Sequence, residues 1–160
     1  MSEAGVVPNV AAPIAGGDER SVVVQDGAFT DAPLLTVPVE EGVARGAAAF
    51  EIGPDADLSA LGLDTAEALG AVEAIAVLFP SFADGRGLSL GHRLRRLGFA
   101  GHLRARGHLV PDQYPMALRC GFDAVELPPA LAGRMPERQW REAMGRVGHN
   151  YLDRLKGAAA

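Results

Sequence analysis

The sequence predicts an α/β fold in which repeated strand–helix units form a mainly parallel sheet, as an open sheet or a partial barrel, with a short β-rich N-terminal part. Three observations carry that prediction. The run Ala74–Phe79 is continuously apolar, as a strand covered on both faces requires. Behind it, Leu90, Leu94 and Leu97 recur at spacings of four and three, which makes one face of a helix apolar. The alternation then repeats over short connections, and parallel strands joined by right-handed crossovers satisfy it.

Taken in order, residues 1–19 are rich in Ala, Gly and Pro without sustained periodicity and read as a flexible arm. Residues 20–160 read as a single α/β domain. Val22, Val23 and Val24 form a β-rich run closed by the Asp26-Gly27 turn signal. Leu34, Leu35 and Val37 suggest a second short strand before Pro38, and 47–52 a third, ended by Gly53-Pro54. Asp57 is placed to cap a helix carrying Leu58, Leu61 and Leu69. After the strand Ala74–Phe79 comes a polar, glycine-containing loop over 81–87, then the Leu90 helix, stopped by Gly98. His102–Gly107 reads as a strand despite Arg104 and Arg106. Pro111 suits the first turn of a helix that runs towards Cys120 and stops at Gly121. Residues 122–127 form another strand, ended by Pro128-Pro129. Finally, Pro136 opens a long helix with Trp140, Met144, Val147, Tyr151 and Leu155 on one face, and with Glu137–Arg141 and Glu142–Arg146 as pairs four apart.

Composition narrows the function classes. A chain of 160 residues can bury one sizeable core, and 48% apolar with 22% charged residues argues against wholesale disorder. No stretch approaches the roughly twenty apolar residues of a membrane helix, and the opening residues lack the basic segment and apolar run of a signal peptide. A cytoplasmic protein without a membrane partner is therefore expected. Cys120 is the single cysteine, which rules out an intrachain disulfide and a four-cysteine metal centre. His92, His102, His108 and His149 show no metal-ligand spacing, so no metal site is expected. No dinucleotide fingerprint exists either, which leaves any cofactor unknown. Charge divides unevenly: residues 1–80 balance at −11 and residues 81–160 at +6. Either the halves attract each other, or the basic half meets an anionic ligand or partner.

Phe79-Pro80-Ser81-Phe82, Asp84-Gly85-Arg86-Gly87 and Ser89 stand in an ordered series. Gly101, Leu103-Arg104-Ala105, Gly107, Asp112-Gln113 and the run from Arg119 through Cys120, Gly121, Phe122 and Asp123 to Ala124 continue it. Over roughly 45–130 this series resembles an uncharacterised bacterial family, the domain of unknown function numbered 934. The resemblance implies a protein of sulfate assimilation that carries the label of an oxidoreductase of sulfite reduction. The chain departs from the family pattern at His108, where an acidic residue is usual, and at Pro111, where a basic one often precedes Asp112.

Loops that follow parallel strands share the sheet's carboxyl edge, where ligands usually bind. That places the 81–87 loop, the 107–113 loop and Glu126 near one another. Arg86, flanked by glycines, suits a two-pronged grip on an oxyanion, with Ser81 and Asp84 in the same loop. Asp84 equally suits a cap for the next helix, with Arg86 tying the loop to a neighbouring carboxylate. Asp112 and Gln113 lie at a helix start, where dipole and backbone contacts also account for them. Glu126 closes a strand and either faces Arg86 or joins an internal salt bridge. Cys120, before a helix-ending glycine, reads as a packed and inert thiol.

Three functions follow as expectations. The first is an accessory protein of assimilatory sulfate/sulfite reduction that binds a partner enzyme or electron carrier, such as sulfite reductase or its electron donor. The second is an enzyme or sensor for a small oxyanion, using the Arg86 loop and, if an oxidoreductase, a borrowed cofactor. The third, nucleic-acid binding through Arg93, Arg95, Arg96, Arg104 and Arg106, is disfavoured by the acidic total charge and the few aromatics. A homo-oligomer is compatible with the Trp140 stripe.

Overall fold

A computed structural model describes residues 21–147 apart from Pro33. The 1–19 arm and the helix positions Tyr151 and Leu155 lie outside the described residues. Seven strands form one open sheet: β1 (Val22–Gln25), β2 (Ala28–Thr30), β3 (Val37–Pro38), β4 (Ala49–Ile52), β5 (Ala74–Phe79), β6 (His102–Gly107) and β7 (Ala124–Leu127). Their order is β2-β1-β7-β6-β5-β4-β3. Strands β3 to β7 are parallel, and the N-terminal hairpin joins β7 antiparallel through β1. The sheet is open and does not close into a barrel.

The parallel strands follow one another in chain order, so each right-handed crossover sends its helix to the same face. That face carries α1 (Val39–Arg45), α2 (Ala66–Gly70), α3 (Arg86–Arg96), α4 (Tyr114–Arg119), α5 (Pro129–Arg134) and α6 (Glu137–Met144). Phe50, Ile75, Val77, Leu103 and Val125 meet Leu90, Leu94, Leu118 and Trp140 there in one core. Helix α3 comes close because Gly87 and Gly91 lack a Cβ: one at Gly87 would lie 2.6 Å from the Phe79 ring and one at Gly91 2.3 Å from the Phe122 ring. Those two rings then pack edge to face at 5.8 Å.

Among the described residues, the opposite face has no helix. The chain from Thr30 to Val37 crosses it, linking one edge strand to the other. Fully extended, that connection reaches about 25 Å, whereas six flat inter-strand spacings amount to about 29 Å. The sheet must therefore curl towards this crossing segment, and the face beneath it is concave. Leu34 packs there on Ala49, Ala74 and Ala76.

Several sequence expectations need correction. Asp57 does not cap a long helix: its carboxylate takes the N–H groups of Ser59 and Ala60 in a turn that Gly62, at φ +70°, terminates. The helix begins at Ala66, capped by the Thr65 hydroxyl. Leu34 and Leu35 are not strand; only Val37–Pro38 pairs with β4, because Leu34 is drawn over the concave face. Pro38 and Pro129 end extended segments but also introduce α1 and α5, which hydrophobic spacing alone did not signal. Helix α6 stops at Met144, so Arg146 turns away from Glu142 and pairs with Asp112 at 3.1 Å. Arg138 takes Glu142 instead, while Glu137–Arg141 forms as expected.

Candidate functional site

The carboxyl edge is built by the turns that follow β4, β5 and β6. After β5, Pro80 ends the strand and Ser81 shapes a tight turn, its hydroxyl accepting from Ala83 N–H and its carbonyl from Asp84 N–H. Asp84 then accepts from the Arg86 backbone at 3.1 Å and from Arg86 Nε and Nη2 at 2.9 and 2.6 Å. The guanidinium is thus already gripped by a carboxylate. Asp84 is held down at about 2 by those bonds, and Arg86 is raised further by the same partner.

Across the edge, Gln113 accepts from Val110 N–H at 3.0 Å and donates to the Phe82 carbonyl at 2.5 Å. One amide therefore pins the 81–85 turn to the turn after β6, and the predicted meeting of these two loops is real. Braced in this way, the Phe82 side chain stands 62% exposed. Asp112 is occupied by Arg146. Beside the turns, Pro54, Asp55, Ala56, Arg86, Ser89, Leu90 and Arg93 line a shallow cleft of about 310 Å³. The Arg93 guanidinium has no hydrogen-bond or ion-pair partner among the described residues.

Glu126 does not face Arg86. It points to the concave face, where strand register sets it beside Arg106 and one step from Arg104. Arg104 Nη1 lies 3.0 Å from Glu126 Oε2, and Arg106 Nε 3.2 Å from Glu126 Oε1. Arg106 also reaches Glu51 at 3.0 Å and the Thr36 hydroxyl at 2.7 Å. The carbonyls of Ala32 and Leu34 in the crossing segment take one bond each from Arg104 and Arg106. Two cations and two carboxylates balance, and together with the carbonyls they satisfy most of the buried polar atoms. The exception is Arg106 Nε, which lacks a well-aligned acceptor. His102 borders the network and accepts from Arg104 Nε at 3.2 Å. Burial, then the Arg104 charge, pushes this imidazole down to about 4, so it is neutral at pH 7.

Reading His102–Gly107 as a strand puts Arg104 and Arg106, two residues apart, on one face, but it leaves out Glu51, Thr36 and the crossing segment that complete their environment. Nothing in local sequence links residues this far apart. Sequence reasoning also missed Phe82, whose signal was a large aromatic inside a polar, glycine-containing loop. Arg95, grouped earlier with an arginine-rich surface, is spent internally on the carbonyls of Phe99, Gly101 and Gly121 and on Asp123. Cys120 is half-buried against the core, and burial raises its thiol pKa. No cluster of three metal-ligating side chains occurs among the described residues, and no helix among them is long and apolar enough to cross a membrane.

Residues 49–159 match the family model described as bacterial protein of unknown function (DUF934). No curated protein and no solved structure matches the chain.

Proposed function

The chain belongs to the bacterial family of unknown function DUF934, and from that premise we propose that it is a cytoplasmic accessory protein of assimilatory sulfate/sulfite reduction, which binds a partner enzyme or electron carrier through its carboxyl edge. One observation carries the reading: the edge spends its reactive-looking side chains on itself and presents Phe82. Asp84 holds Arg86, Gln113 holds the Phe82 carbonyl and Arg146 holds Asp112. An aromatic ring on a turn fixed by this many bonds loses little freedom on docking, which favours it as an interface anchor. Sulfite reductase and its electron donor are the proposed partners. The test is co-purification of tagged protein with sulfite reductase at physiological salt under reducing conditions. Capture that Phe82→Ala abolishes supports the reading, and absence of capture by the wild type sinks it.

A second reading rests on the cleft beside Arg86. Arg93 and Ser89 border it, and Arg93 is uncommitted, so a small oxyanion would find one free guanidinium beside a hydroxyl. Arg93, with Arg86 held by Asp84, would then be the principal anchor. Thermal melting against sulfite and sulfate tests this reading, because a ligand at about a hundred times its Kd adds about 2.7 kcal/mol. A shift that Arg93→Ala removes supports it; melting curves unmoved by either anion count against it.

A further inference from the structure

At the opposite, amino edge of the sheet, α1 and α2 leave an apolar slot of about 220 Å³ between them. Its floor and walls are Val43, Phe50, Leu63, Ala68, Ala71 and Val72, completed by Gly42, Gly46, Gly62 and Ala47. No charged side chain lines it. The slot stays open because two of these glycines offer nothing to fill it: a Cβ built at Gly46 or Gly62 meets no atom within 4 Å, and both residues hold positive φ. Gly42 presses α1 tightly onto Phe50, so the slot cannot be relieved by α1 settling lower. Val43 remains 42% exposed at the rim. The volume is below the roughly 300–1,000 Å³ of small-molecule sites and suits an inserted side chain better than a cofactor.

The exposed charges that adjoin the slot residues along the chain are mainly negative. Glu40 stands one helical turn before Val43, Asp64 follows Leu63, Glu67 precedes Ala68 and Glu73 follows Val72; all four are exposed. None has an ion-pair partner among the described residues. Between residues 21 and 80 the single basic side chain is Arg45, which Glu41 occupies. An apolar centre flanked along the chain by carboxylates without ion-pair partners repels an acidic partner and attracts a basic one.

We propose that the slot between α1 and α2 docks a cationic segment of a partner protein, with one large apolar side chain of that segment inserted between Val43 and Ala68 and flanking Lys or Arg residues over Glu40 and Glu67. This surface lies at the opposite end of the strands from Phe82 and does not depend on the carboxyl-edge reading. Together the two ends would let one small domain hold two partners.

The test uses the full-length protein and a labelled synthetic peptide with lysines flanking a single leucine, followed by fluorescence anisotropy. Wild type should bind it, more weakly as salt rises. The Glu40→Lys/Glu67→Lys protein should bind about tenfold more weakly or worse, the scale of losing two surface charge contacts. A peptide with alanine in place of leucine should lose affinity as well. Phe82→Ala should bind as wild type does, so failure at one edge is separable from failure at the other. The proposal is overturned if the peptide does not bind, if an aspartate-flanked peptide binds equally well, or if charge reversal changes nothing. It is also overturned if wild type sediments as a dimer that charge reversal converts to monomer, since a second copy would then fill the slot. All substituted residues are exposed, and thermal melts confirm that the variants are folded.

Discussion

Arg104 and Glu126 meet diagonally across neighbouring parallel strands, 3.0 Å apart, with relative exposures of 1% and 4%. Neither charge has adequate water to fall back on. Removing the carboxylate charge leaves Arg104 buried and Arg106 short of a partner, which costs far more than the intact pair contributes. Glu126→Gln should therefore lower stability by about 3–5 kcal/mol. Urea denaturation followed by circular dichroism measures it, and a loss below about 1 kcal/mol would show that the crossing segment's carbonyls suffice.

His102 gives stability a pH dependence. Its ring is held neutral to about 4, whereas an unfolded histidine titrates at its ordinary value of 6.5. Between those values the unfolded chain binds the proton and the folded one does not, so stability falls as pH drops through that window. The contribution is fully present above the unfolded value. A loss on the order of 2–3 kcal/mol between pH 7 and pH 4 is expected from this group. His102→Gln should flatten the profile in that window; an unchanged slope would assign it to other groups.

The glycines of α3 separate packing from flexibility. Gly91→Ala drives a methyl into the Phe122 ring and should cost about 1–3 kcal/mol. Gly85→Ala, with open space around it and negative φ, should be neutral or slightly stabilising. Thermal melts of the two proteins side by side decide this, and equal melting temperatures would refute the close approach of α3.

Phe82→Ala should leave stability within about 0.5 kcal/mol of wild type, since the ring is solvent-facing and the turn is held by backbone and Gln113 bonds. A large loss in a melt would mean that the ring packs against the chain and is not displayed.

Cys120 should react with iodoacetamide at pH 7 more slowly than a free thiol, because burial raises its pKa and lowers its thiolate fraction. Reaction in urea should restore the ordinary rate. Fast labelling of the native protein would reopen a role in sulfur chemistry.

By itself the sequence determined the rhythm of the second half. Ala74–Phe79 and His102–Gly107 were legible to the residue, because an uninterrupted apolar run and glycine stops are local signals. The α3 spacing and the meeting of the loops after β5 and β6 were legible for the same reason: a parallel sheet puts those loops on one edge. The N-terminal half was less legible because its helices are one or two turns long and carry no repeat of apolar spacing. What only the tertiary structure decided was which charges meet. Arg86 turned to Asp84, which the tight turn after β5 holds two residues away. Glu126 turned to Arg104 and Arg106, because alternation along a strand fixes the face but register and curl choose the partner. The apolar slot at the amino edge is of the same kind. Its glycines, alanines and aliphatic residues are unremarkable in order along the chain, and they become a surface when α1 and α2 settle side by side on the sheet.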